Sequence, residues 1–377
     1  MIEPKKKCEP ETPLTIIFMN SIGKDVWRGG EKWMVNAAAG LMSRGHRVFC
    51  IGKKNAVWLS KASSRGLNSI EMGIHADFDP IIIWKLFSFF KKVNPAVVCC
   101  NFEKDVRLGG IAARFAGVKS IFVRKGLSLI YEKWRYRLAY KYIVDRIITP
   151  AYYIKKEFEQ FKWLDQERIH VVHNGVELPD TTLFDRDKIL TIDPSVKRPV
   201  LLGAGSLFWQ KGFEYLIEAV KLLNARGLFP HVLIAGAGDQ EPYRKLATEF
   251  DVDQYIHFAG HRNDIQELMY SADCFVLSSI DEGLPNVVLE AMGVGTPVVA
   301  ADAGGTNEII TDGVNGYIVP IKDSLALAEK IEPLLRDPLL RKTIGTNGFE
   351  TVKNKFSIEC NIDGVETLFK KYAAARH

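Results

Sequence analysis

The sequence predicts two doubly wound α/β domains, each with a parallel sheet wrapped by helices. Short β-branched runs alternate with helical patterns along the whole chain, as is typical of parallel sheets. A length of 377 residues is too great for one ordinary domain, and 47% hydrophobic residues suffice for two packed cores. Periodicity gives way to prolines and polar residues over 176–199, so we place the domain break there.

Six strands are predicted in the first domain, residues 1–180, and six in the second, residues 181–356. They cover 14–20, 47–53, 96–102, 120–126, 146–151 and 169–175, then 199–205, 231–237, 255–261, 273–279, 296–302 and 316–321. The last stretch, 357–377, is amphipathic, and we expect a helix that packs back toward the first domain. Open parallel sheets bind ligands at the carboxyl ends of their strands, so two facing sheets predict an interdomain cleft lined by loops.

Charge is distributed unevenly between the two halves. Residues 1–180 hold 30 Lys and Arg against 18 Asp and Glu, which leaves 20 against 27 for the rest. A basic half is expected to meet anionic material, either lipid or a phosphorylated acceptor, and no motif suggests nucleic acid. No signal peptide or long apolar run is apparent. The six cysteines lack CxxC and zinc spacing, so we expect a cytoplasmic, reduced chain.

Glycines follow several of the predicted strands. Gly29 and Gly30 precede a helix in the first domain, where backbone N–H groups could approach an anion, although a plain strand-to-helix turn would use the same pair. The run GAGS at 203–206 lacks the third glycine of a dinucleotide fingerprint, so an NAD site is not expected. Lys211, at the next helix mouth, suits a diphosphate or is simply solvated. Gly236 and Gly238 permit close approach in the following loop.

Two carboxylates frame a helix in the second domain. Glu282 precedes Gly-Leu-Pro-Asn, with Pro285 suited to a first helical turn, and Glu290 lies one turn after Asn286 inside an apolar run. A buried ionised carboxylate is costly unless it is paired or hydrogen-bonded. A sugar hydroxyl at each carboxylate, with a phosphate at the helix N-terminus between them, would satisfy every group.

The run EGLPNVVLEAMGVGTPVVAADAGGTNEII, residues 282–310, resembles the signature of the retaining glycosyltransferases of family 4. The resemblance covers nearly the whole chain and includes RGGEKWMVNAAAGLMSRGHRV, RIHVVHNGVE, SLFWQKGFEYLIEAV, HVLIAGAGD and DGVNGYIVP, in that order. It implies the GT-B architecture of two facing Rossmann-like domains. It also implies sugar transfer from a nucleotide diphosphate with retention at the anomeric carbon, with UDP favoured over GDP.

The resemblance implies roles for single residues. Glu290 would hold the ribose hydroxyls, Glu282 the donor sugar and Lys211 the diphosphate, while the backbone around 261–262 would read the base. The expected donor-binding residues are Gly29, Gly30, Ser206, Lys211, Gly236, Gly238, His261, Arg262, Gly283, Leu284, Pro285, Asn286 and Glu290. No cofactor or metal is expected, because Lys211 and helix dipoles would stabilise the leaving phosphates. A DxD match at 77–79 lies in an unpatterned loop and is discounted.

Three positions depart from the family pattern. Ser206 replaces a usual arginine, Asn101 replaces a frequent histidine, and Arg124 stands where many members have a histidine near the donor sugar. We predict Arg124 as the replacement cation, since a guanidinium suits a diphosphate or a phosphorylated acceptor. The predicted catalytic residues are Glu282 and Arg124, and the acceptor-side residues are Asn101, Lys104 and Lys125. A non-catalytic homologue that binds nucleotide or glycan, and a sugar-nucleotide epimerase, stay open as alternatives.

Residues 124–146 mix seven Lys and Arg with five Tyr and Trp. Such a helix can lie on an anionic membrane surface, or it can pack its aromatic rings while its cations are solvated. The stretch 81–92 is predicted as a core helix because of its density of large apolar residues. Membrane contact would place the chain peripherally on the inner face of the cell membrane. A lipid-linked or lipopolysaccharide acceptor would then be expected.

Overall fold

The computed structural model describes residues 12–23, 25–127 and 130–374. The chain forms two compact units. The first contains the described residues up to Thr149, then Phe158–Val172, and the chain from Ile362 onward. The second contains Pro150–Glu157 and His173–Asn361.

The first unit holds a sheet of seven parallel strands in the order β3-β2-β1-β4-β5-β6-β7. They are β1 Thr15–Asn20, β2 Arg47–Lys53, β3 Asn68–Met72, β4 Val97–Cys100, β5 Ser120–Arg124, β6 Arg146–Thr149 and β7 Ile169–Val171. All six predicted strands are present. The unpredicted strand, β3, lies at the sheet edge and reads NSIEM, with no fully buried residue to produce an apolar run.

The helices of the first unit include α1 Gly29–Ser43, α2 Val57–Ser64, α3 Pro80–Val93, α4 Glu103–Asp105, α5 Ile111–Ala116 and α6 Trp134–Tyr142. A π-helical segment, Val106–Gly110, joins α4 to α5. The last helix of the chain, Ile358–Ala374, lies in this unit from Ile362 onward. Its Val365 and Phe369 pack with Phe18, Trp33 and Phe122 in a buried cluster.

The second unit holds six parallel strands in the order β10-β9-β8-β11-β12-β13. They are β8 Val200–Ala204, β9 His231–Ala235, β10 Ile256–Gly260, β11 Cys274–Leu277, β12 Val298–Ala301 and β13 Tyr317–Val319. The helices are α7 Tyr152–Glu157, α8 Phe213–Ala225, α9 Glu241–Glu249, α10 Ile265–Ser271, α11 Asn286–Gly293, α12 Thr306–Ile309, α13 Ser324–Arg336 and α14 Pro338–Lys355. The C-terminal helix is α15, Ile358–Ala374. Two doubly wound parallel sheets confirm the predicted fold class.

Strand order reverses once in each sheet, between β1 and β4 and between β8 and β11. In doubly wound sheets, the loops that leave the strands at such a switch point flank the ligand crevice. The loops after β1, β4, β8 and β11 carry most of the residues that the sequence singled out. Each sheet therefore brings most of its predicted site residues to its own switch point.

The prediction of a core helix over 81–92 is wrong in part. Helix α3 buries Ile82, Leu86, Phe90 and Val93, but Ile81 and Trp84 on the same helix are exposed. The helix is apolar on two faces, and only one of them meets the sheet. Of the helices in the described ranges, none combines the length and apolar character needed to cross a bilayer.

Candidate functional site

An ion pair joins the two loops at the switch point of the second unit. Lys211 Nζ lies 2.6 Å from Glu282 Oε1, and Ser279 Oγ donates to the same oxygen at 2.8 Å. Ser278 Oγ donates to the carbonyl oxygen of Lys211 at 3.0 Å, so the loops are joined through the backbone as well. The sequence predicted both Lys211 and Glu282 as donor contacts. The structure brings them together as an ion pair.

Close backbone contact shapes the loop that carries Glu282. Gly304 has φ +59°, and a Cβ there would overlap the carbonyl oxygen of Glu282. Its neighbour Gly305 donates its N–H to the carbonyl oxygen of Gly283 at 2.8 Å. No role was predicted for this glycine pair from the sequence. Because the pair supports the loop from an adjacent strand connection, only the GG dipeptide itself could have signalled it.

The loop after β9 packs directly on the loop after β8. A Cβ at Gly236 would overlap the carbonyl oxygen of Gly205, so no larger residue fits there. Leu207 N–H donates to the carbonyl oxygen of Ala237 at 2.8 Å, and Gly238 follows with φ +142°. Gly236 and Gly238 thus hold the two loops together beside the exposed Ser206.

Helix α11 begins directly after the Glu282 loop. Pro285 is its N-cap residue and offers no side-chain acceptor to the first-turn N–H groups. Asn286 accepts a hydrogen bond at Oδ1 from Asn174 Nδ2 at 2.9 Å, while Leu284 and Pro285 are buried. Glu290 is half-buried one turn further on, between the buried Leu289 and Ala291. The helix therefore presents its positive end close to Glu282, with Glu290 on its body.

His261 and Arg262 follow β10, at the edge of the sheet. Arg262 forms a two-point pair with Asp264, Nε to Oδ1 at 2.8 Å and Nη2 to Oδ2 at 2.6 Å. Hydrogen bonding from Arg262 lowers the pKa of the Asp264 carboxyl. The guanidinium is thus committed to a carboxylate, and the backbone of this loop stays the predicted reader of the base.

The first unit holds a buried polar cluster at its own switch point. Glu31 accepts hydrogen bonds at Oε1 from Asn20 Nδ2 at 3.2 Å and from Asn101 Nδ2 at 3.3 Å. Arg124 is buried, with its guanidinium 4.7 Å from the ring centre of Trp33, and burial lowers its pKa to about 10. Glu31 is not among the residues predicted from the sequence. Its signal was an acid just after the Gly-Gly pair, in the first turn of a helix.

Three predicted residues, Gly30, Asn101 and Arg124, come together at this cluster. A Cβ at Gly30 would lie 3.5 Å from Arg124 Nη1 and 3.7 Å from Asn101 Nδ2. Gly29 is the first residue of α1. The Gly-Gly turn thus brings the backbone close to a buried guanidinium.

The two predicted acceptor-side lysines have different surroundings. Lys125 is buried, and its Nζ lies 2.5 Å from Glu103 Oε1, which also accepts the Tyr140 hydroxyl at 2.8 Å. Lys104 instead donates to the carbonyl oxygen of His75 at 3.0 Å, in the loop after β3. The structure therefore does not place these lysines around one common partner.

The carboxylates of the DxD match have structural partners. Asp77 Oδ2 pairs with Arg107 Nη2 at 2.6 Å. Asp79 is the N-cap of α3 and accepts from the N–H groups of Ile81 and Ile82 at 3.0 and 3.2 Å. In the parts of the chain that the structure describes, no group of three or more His, Cys, Asp or Glu could hold a metal ion.

Asp105 ties the ends of β1 and β4 together from a fully buried position. It accepts the N–H groups of Ser21 at 2.8 Å, Phe102 at 2.8 Å and Asn101 at 3.3 Å. Burial raises its pKa to about 6, against the effect of these hydrogen bonds, which favour the charged form. The carboxylate thus fixes the loops that carry Asn101 and the start of the Gly-Gly turn.

We expect Asp105→Asn to lower the free energy of unfolding by about 2 kcal/mol at neutral pH, because the amide turns N–H groups toward backbone donors. The folded pKa lies above the unfolded value of about 3.9, so the folded chain binds this proton more tightly. The Asp105 contribution therefore makes the free energy of unfolding fall as pH rises from about 4 to about 6. Urea unfolding across this range, with the exposed Asp253→Asn as control, should show that slope in the wild type and its loss in the variant. Equal slopes would contradict the assignment.

Parallel sheets of this strand order, with polar loops at their switch points, are the framework of the GT-B glycosyltransferases. Comparison with known proteins assigns the chain to that class. Residues 27–179 match the family model described as Glycosyltransferase Family 4, and residues 185–351 match the one described as Glycosyl transferases group 1. The chain therefore belongs to this glycosyltransferase family, which confirms the resemblance found at 282–310.

Three relatives illustrate the match. The capsular polysaccharide biosynthesis glycosyltransferase CapM of Staphylococcus aureus is 30% identical over 311 residues, 76% of this chain and 80% of that protein. The lipopolysaccharide core biosynthesis glycosyltransferase LpsE of Rhizobium meliloti (strain 1021) is 33% identical over 227 residues, 60% of this chain and 64% of LpsE, less than two thirds of its length. The UDP-Gal:alpha-D-GlcNAc-diphosphoundecaprenol alpha-1,3-galactosyltransferase of Escherichia coli is 28% identical over 306 residues, 75% of this chain and 77% of that enzyme.

One solved structure supports the fold. Anabaena Alr3699/HepE, in complex with UDP, superposes with a TM-score of 0.80 at 21% identity and covers 94% of this chain and 99% of its own. At that identity the likeness shows the fold. Together, the family models and these relatives identify the chain as a member of this glycosyltransferase family.

Proposed function

We propose that this chain is a retaining glycosyltransferase that moves a sugar from a nucleotide diphosphate, UDP rather than GDP, to a glycan or lipid-linked acceptor. The product would be a cell-surface polysaccharide or lipopolysaccharide. The observation that carries the proposal is the 2.6 Å pair of Lys211 and Glu282 beside the start of α11. A cation suited to a diphosphate and an acceptor suited to a sugar hydroxyl stand next to each other, as they would around a sugar diphosphate.

In the proposed reaction, positive charge lies where the leaving diphosphate gains negative charge. Lys211 and the positive end of α11 stabilise the departing diphosphate, and Glu282 orients the sugar through its hydroxyls. Glu290 holds the ribose. Arg124 is the proposed replacement for the family's histidine. Lys211, Arg124 and the positive end of α11 balance the negative charge of the phosphates. Neither a metal nor a cofactor is therefore part of the proposal. Retention at the anomeric carbon rests on the family resemblance.

The names of the similar proteins support the substrate classes. The Escherichia coli relative is named for UDP-galactose and for a diphosphoundecaprenol acceptor, which is a lipid diphosphate. The Anabaena protein was solved with UDP. By analogy, we propose a cytoplasmic enzyme that works peripherally at the inner face of the cell membrane. Nucleic acid is not among its proposed partners.

Thermal unfolding with UDP, GDP and their sugar conjugates tests the donor class. A ligand at 100 times its dissociation constant adds about 2.7 kcal/mol to the free energy of unfolding, which gives a readily measured shift. We expect a shift with UDP and UDP-sugars and a smaller one with GDP. If no nucleotide shifts the transition, the chain is better explained as a non-catalytic homologue.

Glu290→Ala should weaken UDP binding by about tenfold to a hundredfold, because two ribose hydroxyls would lose a charged acceptor. Isothermal titration calorimetry measures this change directly. The exposed Glu249→Ala on α9 serves as the matched control and should bind UDP like the wild type. Wild-type affinity in Glu290→Ala would show that the ribose lies elsewhere.

A further inference from the structure

Large apolar side chains are exposed beside one another on the first unit. Phe78 is 59% exposed, Ile81 and Trp84 are each 66% exposed, and Phe115 is 73% exposed. Phe78, Trp84 and Phe115 line a groove of about 480 Å³ between α3 and α5, together with Ile83, Phe87 and Ile111. Contiguous apolar surface of this kind marks an interaction site rather than ordinary surface.

A second apolar stripe runs along α6. Trp134, Leu138 and Tyr142 are all exposed, and their spacing of four residues puts them on one face of the helix. On the opposite side Tyr140 is buried and hydrogen-bonded to Glu103. The helix thus anchors itself through Tyr140 while a separate apolar edge faces outward.

Helix α5 connects these two surfaces. It packs against α3 along the groove, and at its other side Arg114 donates from Nη2 to the carbonyl oxygen of Ile143 at 2.8 Å and from Nε to that of Tyr142 at 3.2 Å. Right-handed crossovers put α3, α5 and α6 on the same face of the sheet. We call this surface, formed by Phe78, Ile81, Trp84, Phe115 and the stripe on α6, the docking face.

Cations surround the docking face. Residues 77–92, 104–119 and 130–142 contain 11 Lys and Arg against four Asp and Glu, and one of the acids, Asp105, is buried. Lys85, Lys91 and Lys92 are exposed on α3, and Arg135 and Lys141 flank the stripe on α6. Lysine is depleted at protein–protein interfaces, whereas Trp and Lys together are typical of membrane-surface helices. The chemistry therefore favours a lipid surface over a protein partner.

We propose that the docking face seats the first unit on an anionic phospholipid bilayer. Trp84, Ile81 and Phe115 enter the headgroup layer, and the lysines of α3 meet the lipid phosphates. This proposal rests on the proposed function. An enzyme held on the bilayer would meet a lipid-linked acceptor by diffusion in two dimensions. The proposal also moves the centre of the membrane contact from the 124–146 segment to α3 and α5.

Sedimentation of the full chain with vesicles of phosphatidylglycerol and phosphatidylcholine in equal parts tests the docking face. We expect binding that falls with salt and disappears on pure phosphatidylcholine. Trp84→Ser combined with Phe115→Ser should lower vesicle partitioning by about a hundredfold. Lys85→Glu combined with Lys91→Glu should lower it at least about tenfold at low salt. The controls, Leu339→Ser and Lys355→Glu, change exposed residues of α14 and should bind like the wild type.

The UDP-induced thermal shift, measured in the same variants, separates this proposal from the proposed function and also reports their folding. A wild type that ignores anionic vesicles but shifts with UDP overturns the docking face alone. Variants that bind vesicles as tightly as the wild type overturn it as well. Vesicle binding lost in the variants, without any nucleotide shift, supports the docking face and counts against the donor site. A wild-type dimer that Trp84→Ser dissociates, with no vesicle binding, assigns the face to a second copy instead.

Discussion

Glu282→Ala should abolish sugar transfer and leave UDP binding intact. The carboxylate is proposed to hold hydroxyls of the donor sugar, which UDP lacks, so its loss should act on transfer alone. We expect transfer to fall by about a thousandfold, the upper range for removing one group that stabilises a transition state. Loss of the carboxylate also frees Lys211 from its 2.6 Å partner, so UDP affinity should stay equal or rise. Calorimetry with UDP and the release of UDP from the donor measure the two effects separately.

Glu282→Gln is the informative control for this prediction. The amide oxygen can still accept from Ser279 Oγ and from a sugar hydroxyl, but it carries no charge for Lys211. Transfer by this variant should lie between those of the wild type and Glu282→Ala. Normal transfer by Glu282→Ala would show that the donor sugar is held elsewhere.

Lys211→Met should impair both binding and transfer. The ammonium is proposed to meet the diphosphate in the bound donor and more strongly as the leaving group gains charge. We expect UDP affinity to fall by about tenfold and transfer by about a hundredfold to a thousandfold. The control is Lys221→Met, an exposed lysine on α8, which should behave like the wild type.

The double variant sharpens this test. Lys211 and Glu282 touch, so their effects should not add, and Lys211→Met combined with Glu282→Ala should lose less transfer than the product of the single losses. Strict additivity would mean that the two residues act at independent places. A Lys211→Met variant with unchanged UDP affinity would remove the diphosphate assignment.

Most of the fold could be predicted because buried parallel strands have short, continuous apolar sequences. Twelve of the thirteen strands carry such runs, and β3 does not because it lies half-exposed at an edge. The prediction for α3 was wrong in part for a related reason. Its apolar residues cover more of the helix than the sheet can bury, and composition does not say which face meets the sheet.

Sequence patterns place the candidate site residues along the chain, but they do not give the contacts between them. Lys211 and Glu282 are 71 positions apart, and they meet because β8 and β11 are neighbours in the sheet. Asp105 accepts from Ser21 across 84 positions, so its role as the tie between two loops depends on a strand pairing that no local pattern reveals. Motif spacing locates such residues along the chain, and the sheet order decides which of them touch.

The C-terminal helix has a consequence for building hybrid enzymes. From Ile362 onward, α15 belongs to the first unit, where the ring of Phe369 lies 4.9 Å from that of Phe122 and 6.2 Å from that of Phe18. A chimera that joins the first unit to another relative's second unit at a single junction would inherit a foreign C-terminal helix against this core. Exchange of donor or acceptor specificity by recombination therefore needs two crossover points, with the final helix travelling with the first unit.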